Sequence, residues 1–216
     1  IFAYITFEMT KNKPKVIVAV TNDIVTDQRV ARTCITLTEM GFKVLVIGRK
    51  LKNSLPLYKM PYKCKRMRLF FNKGPLFYAE YNFHLFFKLI FKKVDLIVAN
   101  DLDTLLAAFL AHKIKKIPLV YDTHEYFTGV PELIERPKVK AIWEKIEKYI
   151  FPKLNNVITV NHSIARLYEK QYNVQVKVIR NVPFRKKLPE NISKNELGLP
   201  ENKKIILMQG AGININ

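Results

Sequence analysis

At 216 residues, 49% of them hydrophobic, the chain is long enough to bury a sizeable core and too apolar to be intrinsically disordered. Its 37 Lys and Arg against 18 Asp and Glu give a formal charge of +19, which attracts polyanions of any kind: nucleic acid, anionic lipid or nucleotide phosphates. Cys34 and Cys64 lie in apolar segments without C-x-x-C spacing, which argues against a zinc site or a disulfide framework and fits a reducing cytoplasm.

Residues 1–14 open with the apolar run Ile1–Met9, too short to span a bilayer and without the basic segment that precedes a signal-peptide core; they are expected to be a leader or disordered tail. The β-branched run Val16–Val20 predicts a strand buried on both faces, and a helix begins near Asp27-Gln28-Arg29-Val30, carries Val30, Cys34 and Leu37 on one stripe and stops at Gly41. Phe42–Ile47 is the second expected strand. Residues 50–73 mix basic and aromatic side chains, with a strand expected at Cys64–Leu69. Pro75 to Lys93 predicts a helix through Phe77, Tyr81, Leu85, Lys88 and Ile90 that is aromatic on nearly every side. Val94–Ala99 is a strand, followed by a helix from about Asp103 through Ala111 and a strand at Pro118–Tyr121. A longer helix from about Lys138 places Ile142, Trp143, Ile146 and Ile150 on one face and ends at Pro152. Val157–Val160 and Val176–Ile179 complete the set.

Strands alternating with helices predict a parallel sheet covered on both faces, so residues 15–183 are expected to form a Rossmann-like α/β domain. Residues 184–202, proline-containing and poor in large apolar side chains, are expected to be an interdomain linker with at most one short helix. In 203–216, Lys204–Met208 followed by Gln209-Gly210-Ala211-Gly212 predicts the first strand and loop of a second domain.

The strands share one property: each is followed by polar residues. Asn22-Asp23, Asn100-Asp101, Asp122-Thr123-His124-Glu125, Asn161-His162 and Arg180-Asn181 all follow apolar runs. Carboxyl ends of parallel strands are where open α/β sheets bind ligands, which predicts one polar crevice. His124, beside Asp122 and Glu125, is placed to contact a ligand hydroxyl or a phosphate, or else to cap the next helix or hydrogen-bond within the turn. Arg29 opposes the dipole of its own helix, so either an anionic ligand or a salt bridge to Asp23, Asp27 or Asp101 holds it there. Asp101 is the acid expected to face the crevice, whereas Asp103 is expected to cap the next helix, as Asp27 does the first. Arg180 and Asn181 are placed either to touch phosphates or to fix the turn into the linker. No G-x-G-x-x-G follows the first strand, which argues against a nicotinamide dehydrogenase; Gly210 and Gly212 alone are weak evidence of a ligand loop. His84, His112 and His162 lack metal-ligand spacing, and Ser163 lacks a G-x-S-x-G frame. The basic-aromatic stretch 58–93 is either a solvated rim over core aromatics or a surface for an anionic membrane, with no nucleic-acid recognition signature in it.

Asp27-Gln28-Arg29-Val30, Ala99-Asn100-Asp101-Leu102-Asp103-Thr104, Tyr121-Asp122-Thr123-His124-Glu125 and Arg180-Asn181-Val182-Pro183, in this order, resemble the N-terminal half of family four glycosyltransferases of the GT-B fold. The resemblance runs from about Lys15 to Met208, and Gln209–Gly212 resembles the first loop of that family's C-terminal half. It implies two facing Rossmann-like domains, a nucleotide-sugar donor held mainly by the C-terminal one, a glycan or lipid-linked acceptor held mainly by the N-terminal one, retention of anomeric configuration and no cofactor or metal. His124 is then the catalytic candidate; Arg29, Asp101, Glu125, Arg180 and Asn181 bind acceptor or phosphate, and Gly210 and Gly212 form the donor loop. The family's paired donor glutamates fall outside this sequence, so the fragment by itself is expected to be inactive. The location implied is the cytoplasm, peripheral to the membrane's inner face. A GT-B sugar-nucleotide epimerase and a non-catalytic module for anionic membrane or nucleic acid are the alternatives.

Overall fold

The computed structural model describes residues 13–182 and 192–207. Seven strands form one parallel sheet: β1 (Lys15–Ala19), β2 (Lys43–Arg49), β3 (Lys63–Met67), β4 (Leu96–Asn100), β5 (Leu119–Asp122), β6 (Val157–Thr159) and β7 (Val176–Val178), in the order β3-β2-β1-β4-β5-β6-β7. The chain first winds outward from β1 to β3, then crosses back beside β1 and winds the other way. That reversal leaves a switch point between β1 and β4, and every expected strand of residues 15–183 is present within a few residues of its expected bounds.

Two cores explain the continuous apolar runs. Ile17, Ala19, Ile97, Ala99, Tyr121 and Val157 face one side of the sheet, while Val16, Val18, Val46, Val98, Val120 and Ile158 face the other. Helix α1 (Gln28–Glu39) packs on the second side through Val30, Cys34 and Leu37. Helices α2 (Gly74–Phe91), α3 (Leu102–Lys115), α5 (Pro137–Ile150) and α6 (His162–Tyr172) pack on the first, with the short α4 (Pro131–Ile134) leading into α5. On α2 the buried stripe is Phe77, Tyr81, Leu85 and Leu89, a strict i+4 series, rather than one that includes Lys88 and Ile90. On α5 it is Trp143, Glu147 and Ile150, which leaves Ile142 exposed. Pro152 lies in the single 3-10 turn that follows Ile150, as its missing N–H demands.

Residues 182–216 form a separate unit. Within it the turn at 193–199 closes through Leu197 N–H to the Ser193 carbonyl and Leu199 N–H to the Lys194 carbonyl, and none of the described residues of 184–202 is helical. The strand expected at Lys204–Met208 does not form over Lys204–Leu207, where no neighbouring strand supplies partners for its backbone groups. Residues 1–12, 183–191 and 208–216, with Gly210 and Gly212, lie outside the described residues.

Candidate functional site

At the switch point the loops after β1, β4 and β5 converge. The loop after β1 is pinned by Asp23, whose Oδ1 meets Arg66 Nη2 at 2.6 Å and accepts from Val25 N–H, and by Tyr81, which donates its hydroxyl to the Val20 carbonyl at 2.7 Å. Asp27 then caps α1, accepting from Val30 N–H at 3.0 Å, so that Arg29 projects from the first turn into the crevice. Gly48 makes room for this loop: a Cβ there would lie 2.8 Å from the Asn22 carbonyl oxygen.

Asp101 is the hub. Its backbone sits at φ 62 and ψ 166, a region that side chains rarely occupy, and it starts α3 without a capping hydrogen bond. Its carboxylate instead meets a guanidinium and an imidazole. Arg29 Nη2 lies 3.5 Å from Oδ2, and His124 Nδ1 lies 2.5 Å from Oδ1, a close charge contact out of line for a hydrogen bond. Arg29 also faces Asp122 at 3.6 Å and Asp27 at 4.0 Å, while its Nη1 has no hydrogen-bond partner among the described residues. Around these groups opens a crevice of about 440 Å³ lined by Asn22, Asp27, Arg29, Arg49, His124 and Asn181.

A sequence model of the family described as Glycosyltransferase Family 4 matches residues 27–182, the span that builds the sheet from α1 onward and carries Asp27, Arg29, Arg49, His124 and Asn181 of the crevice. The chain belongs to that family. Its fold is the Rossmann-like N-terminal domain of a GT-B architecture, as similar solved structures show. Sucrose-phosphate synthase from Thermosynechococcus elongatus aligns over 78% of this chain and 48% of its own, with TM-score 0.55 and 14% identity. A glycosyltransferase from Rickettsia africae covers 78% of this chain and 43% of its own at TM-score 0.52 and 14% identity. The Anabaena protein HepE, in complex with UDP and glucose, covers 78% and 44% at TM-score 0.50 and 16% identity. The chain thus spans less than half the length of each of these proteins. No curated protein matches it.

The family 4 crevice holds its charges out of balance with water. Burial raises the Asp122 carboxyl to about 6, against the pull of Arg29. Burial and the neighbouring Asp101 raise Asp103 to about 7, although Thr21 donates its hydroxyl to Asp103 Oδ2 at 2.5 Å. For His124 burial lowers the pKa, but the contact with Asp101 outweighs it and the net direction is up, favouring imidazolium. The cluster therefore sets Arg29 and a readily protonated histidine against acids that take up protons easily.

Of the residues expected at the site, the structure gathers Arg29, His124 and Asn181 around the crevice, whereas Asp101, expected to face it, does not line it and instead contacts Arg29 and His124; Asn181 accepts from Arg32 Nε of α1 at 2.9 Å. Glu125, the next residue, lies on the wall of a neighbouring groove, and burial raises its pKa. Arg180 is exposed and has no ion pair or hydrogen bond among the described residues. Asp103 does not cap α3: the helix begins at Leu102, one residue earlier than expected, so its carboxylate turns inward to Thr21. Asp23 pairs with Arg66 and not with Arg29, and the acid that joins Arg29 in its place is Asp122. Asp122 carried a signal in the sequence, an ionisable residue ending an otherwise apolar buried strand next to His124. Thr21 and Arg49 carried none.

Behind the crevice, Thr123 donates to the Glu125 carbonyl at 2.8 Å and contacts the Tyr168 hydroxyl at 3.2 Å. Buried Glu147 accepts from Tyr168, Tyr172 and Thr128. This network fixes the turn that carries His124. Among the described residues, no group of three or more His, Cys, Asp or Glu is placed to hold a metal ion, and no helix is long and apolar enough to cross a membrane.

Proposed function

We propose that this domain is the acceptor-side half of a retaining glycosyltransferase that moves a sugar from a nucleotide-sugar donor to a hydroxyl of a glycan or lipid-linked glycan, at the cytoplasmic face of a membrane. The observation that supports the reading best is the His124–Asp101–Arg29 cluster at the switch point, where a guanidinium and an imidazole line one polar crevice. Glycosyl transfer needs stabilisation of a departing diphosphate and a polar contact to the reacting sugar. Arg29, at the start of α1, pairs with Asp122 through Nη1 without a hydrogen bond to it and supplies a positive end for an anionic group. His124, whose hold on a proton the contact with Asp101 strengthens, donates to a hydroxyl of the transferred sugar or to the departing phosphate; Asp101 is a positioning residue that acts through it. Asn181 and Glu125 contact the acceptor on either side, and Arg180, exposed and without an ion pair or hydrogen bond among the described residues, reaches donor phosphate. One structural relative was captured with UDP and glucose, which agrees with a nucleotide-sugar donor.

The test uses the natural full-length protein, a panel of nucleotide sugars and hydroxyl acceptors, with and without a chelator. Acceptor-dependent release of nucleotide, undiminished by chelation, with the donor's anomeric configuration kept in the product, is the expected result. Donor consumed at the same rate without acceptor, yielding free or epimerised sugar, would contradict it.

A further inference from the structure

Beside the polar crevice lies a cavity of the opposite character. Helices α2, α3, α4 and α5 enclose a groove of about 800 Å³, within the range of about 300–1,000 Å³ typical of small-molecule sites. Leu133 and Trp143 are its buried floor, whereas Phe83, Leu110 and Ile142 at its mouth are 61%, 44% and 54% exposed. Asn82, a polar residue on the wall, has both ends of its amide already committed, donating to the Tyr78 and Asp103 carbonyls and accepting from Ala107 N–H. The lining offers mainly apolar surface.

Three further features say what fits. Glu125 lines the groove and His124, its chain neighbour, lines the crevice, so the two cavities meet the same short turn after β5. From Phe83 at the mouth a ladder runs along α2 through Phe87 and Phe91, with ring centroids 4.8 and 5.9 Å apart, the last 79% exposed. Where the ladder ends, Lys92 and Lys93 follow directly. Lys115 ties the end of α3 to that of α2 through the Leu89, Ile90 and Lys92 carbonyls, bringing Lys113 and Lys116 to the same end. An apolar ridge flanked by lysines matches an anionic bilayer surface.

We propose that the groove receives the hydrocarbon chain of a membrane-embedded acceptor, whose polar head lies in the His124 crevice while the phenylalanine ladder rests in the bilayer. The identity of the head as a sugar acceptor rests on the transferase reading; the chain site does not. Trp143, the single tryptophan of this sequence, is the reporter. Natural full-length protein is titrated with a single-chain lysophosphatidate brominated on its acyl chain, and the quenching is compared with that of its Trp143→Phe variant to isolate the Trp143 signal. Saturable quenching is expected, weakened at least tenfold in Ile142→Glu at the mouth and Ala79→Phe on the exposed wall, and unchanged in Leu167→Glu, an exposed position on α6. Geranylgeranyl phosphate is added as competitor: relief assigns the groove to isoprenoid chains, and absence of relief to acyl chains. No saturable quenching, or quenching indifferent to both groove variants, overturns the proposal, as it would if another part of the protein covers the groove. Natural full-length protein that shows this saturable quenching yet transfers no sugar from any nucleotide sugar refutes the transferase reading and leaves the groove standing.

Discussion

Replacing Asp101 in two ways separates its backbone strain from its charge. A side chain at φ 62 and ψ 166 costs about 1–3 kcal/mol, and Asp101→Asn keeps that cost while removing the carboxylate. Loss of one member of a buried ion pair costs about 3–5 kcal/mol when the partner is left uncompensated. Arg29 keeps Asp122 at 3.6 Å and Asp27 at 4.0 Å, so the loss here is about 2–3 kcal/mol, below that range. Asp101→Gly loses the same charge but relieves the strain, offset by about 0.5–1 kcal/mol of added chain freedom in the unfolded state. The glycine variant is therefore expected to be the more stable of the two by about 1 kcal/mol, although it deletes more atoms. Urea unfolding monitored by circular dichroism reads this as a higher midpoint at unchanged slope. In both variants the His124 pKa, followed by NMR, should fall towards or below its ordinary value, since Asp101 supplies the upward pull. A glycine variant no more stable than the asparagine one would refute the strain argument; a His124 titration unmoved by either would refute the charge argument.

The pH dependence of stability follows from Asp103 and Asp122. Both have pKa values raised on folding, from 3.8 to about 7 and about 6, so their contribution is full below pH 3.8 and is lost as pH rises through those values. His124, also raised, acts in the same direction. Thermal unfolding should therefore show stability falling between about pH 4 and 7, and Asp103→Asn, which keeps an acceptor for Thr21, should flatten that fall and leave the variant a few kcal/mol more stable at pH 8. A wild-type profile flat across this window would contradict the burial of Asp103. Glu147→Ala strands the hydroxyls of Thr128, Tyr168 and Tyr172 and should cost about 3 kcal/mol or more by denaturant unfolding, whereas a loss below about 1 kcal/mol would show that the network relaxes or takes in water.

The sheet was legible because its strands are written twice. Runs such as Val16–Val20 and Val94–Ala99 are apolar enough to be buried on both faces, and each is followed by polar residues, which marks the carboxyl end and hence the side of the crevice. Arg29, Asp101 and His124 could be named from that placement alone. Their pairing could not: Asp101 takes the N-cap position of α3 at a positive φ that no sequence pattern announces and makes no side-chain cap there, while Asp103 turns inward towards Thr21. The apolar groove was hidden for another reason. The phenylalanines of α2 look alike in sequence, and only the packing of α2 on the sheet and α3 separates buried Phe77 from half-buried Phe86 on the groove wall and exposed Phe83 and Phe91.

The most direct test of the central claim is the turnover of His124→Ala in the natural full-length enzyme, measured with saturating nucleotide sugar and acceptor alongside unfolding of the same variant. A positioned proton donor or charge at the reacting sugar contributes about 10²–10⁴ in rate, so turnover should fall by at least about a hundredfold while the fold stays intact. Turnover within a few-fold of the natural enzyme in a stably folded variant would place the chemistry elsewhere and contradict the role assigned to this crevice.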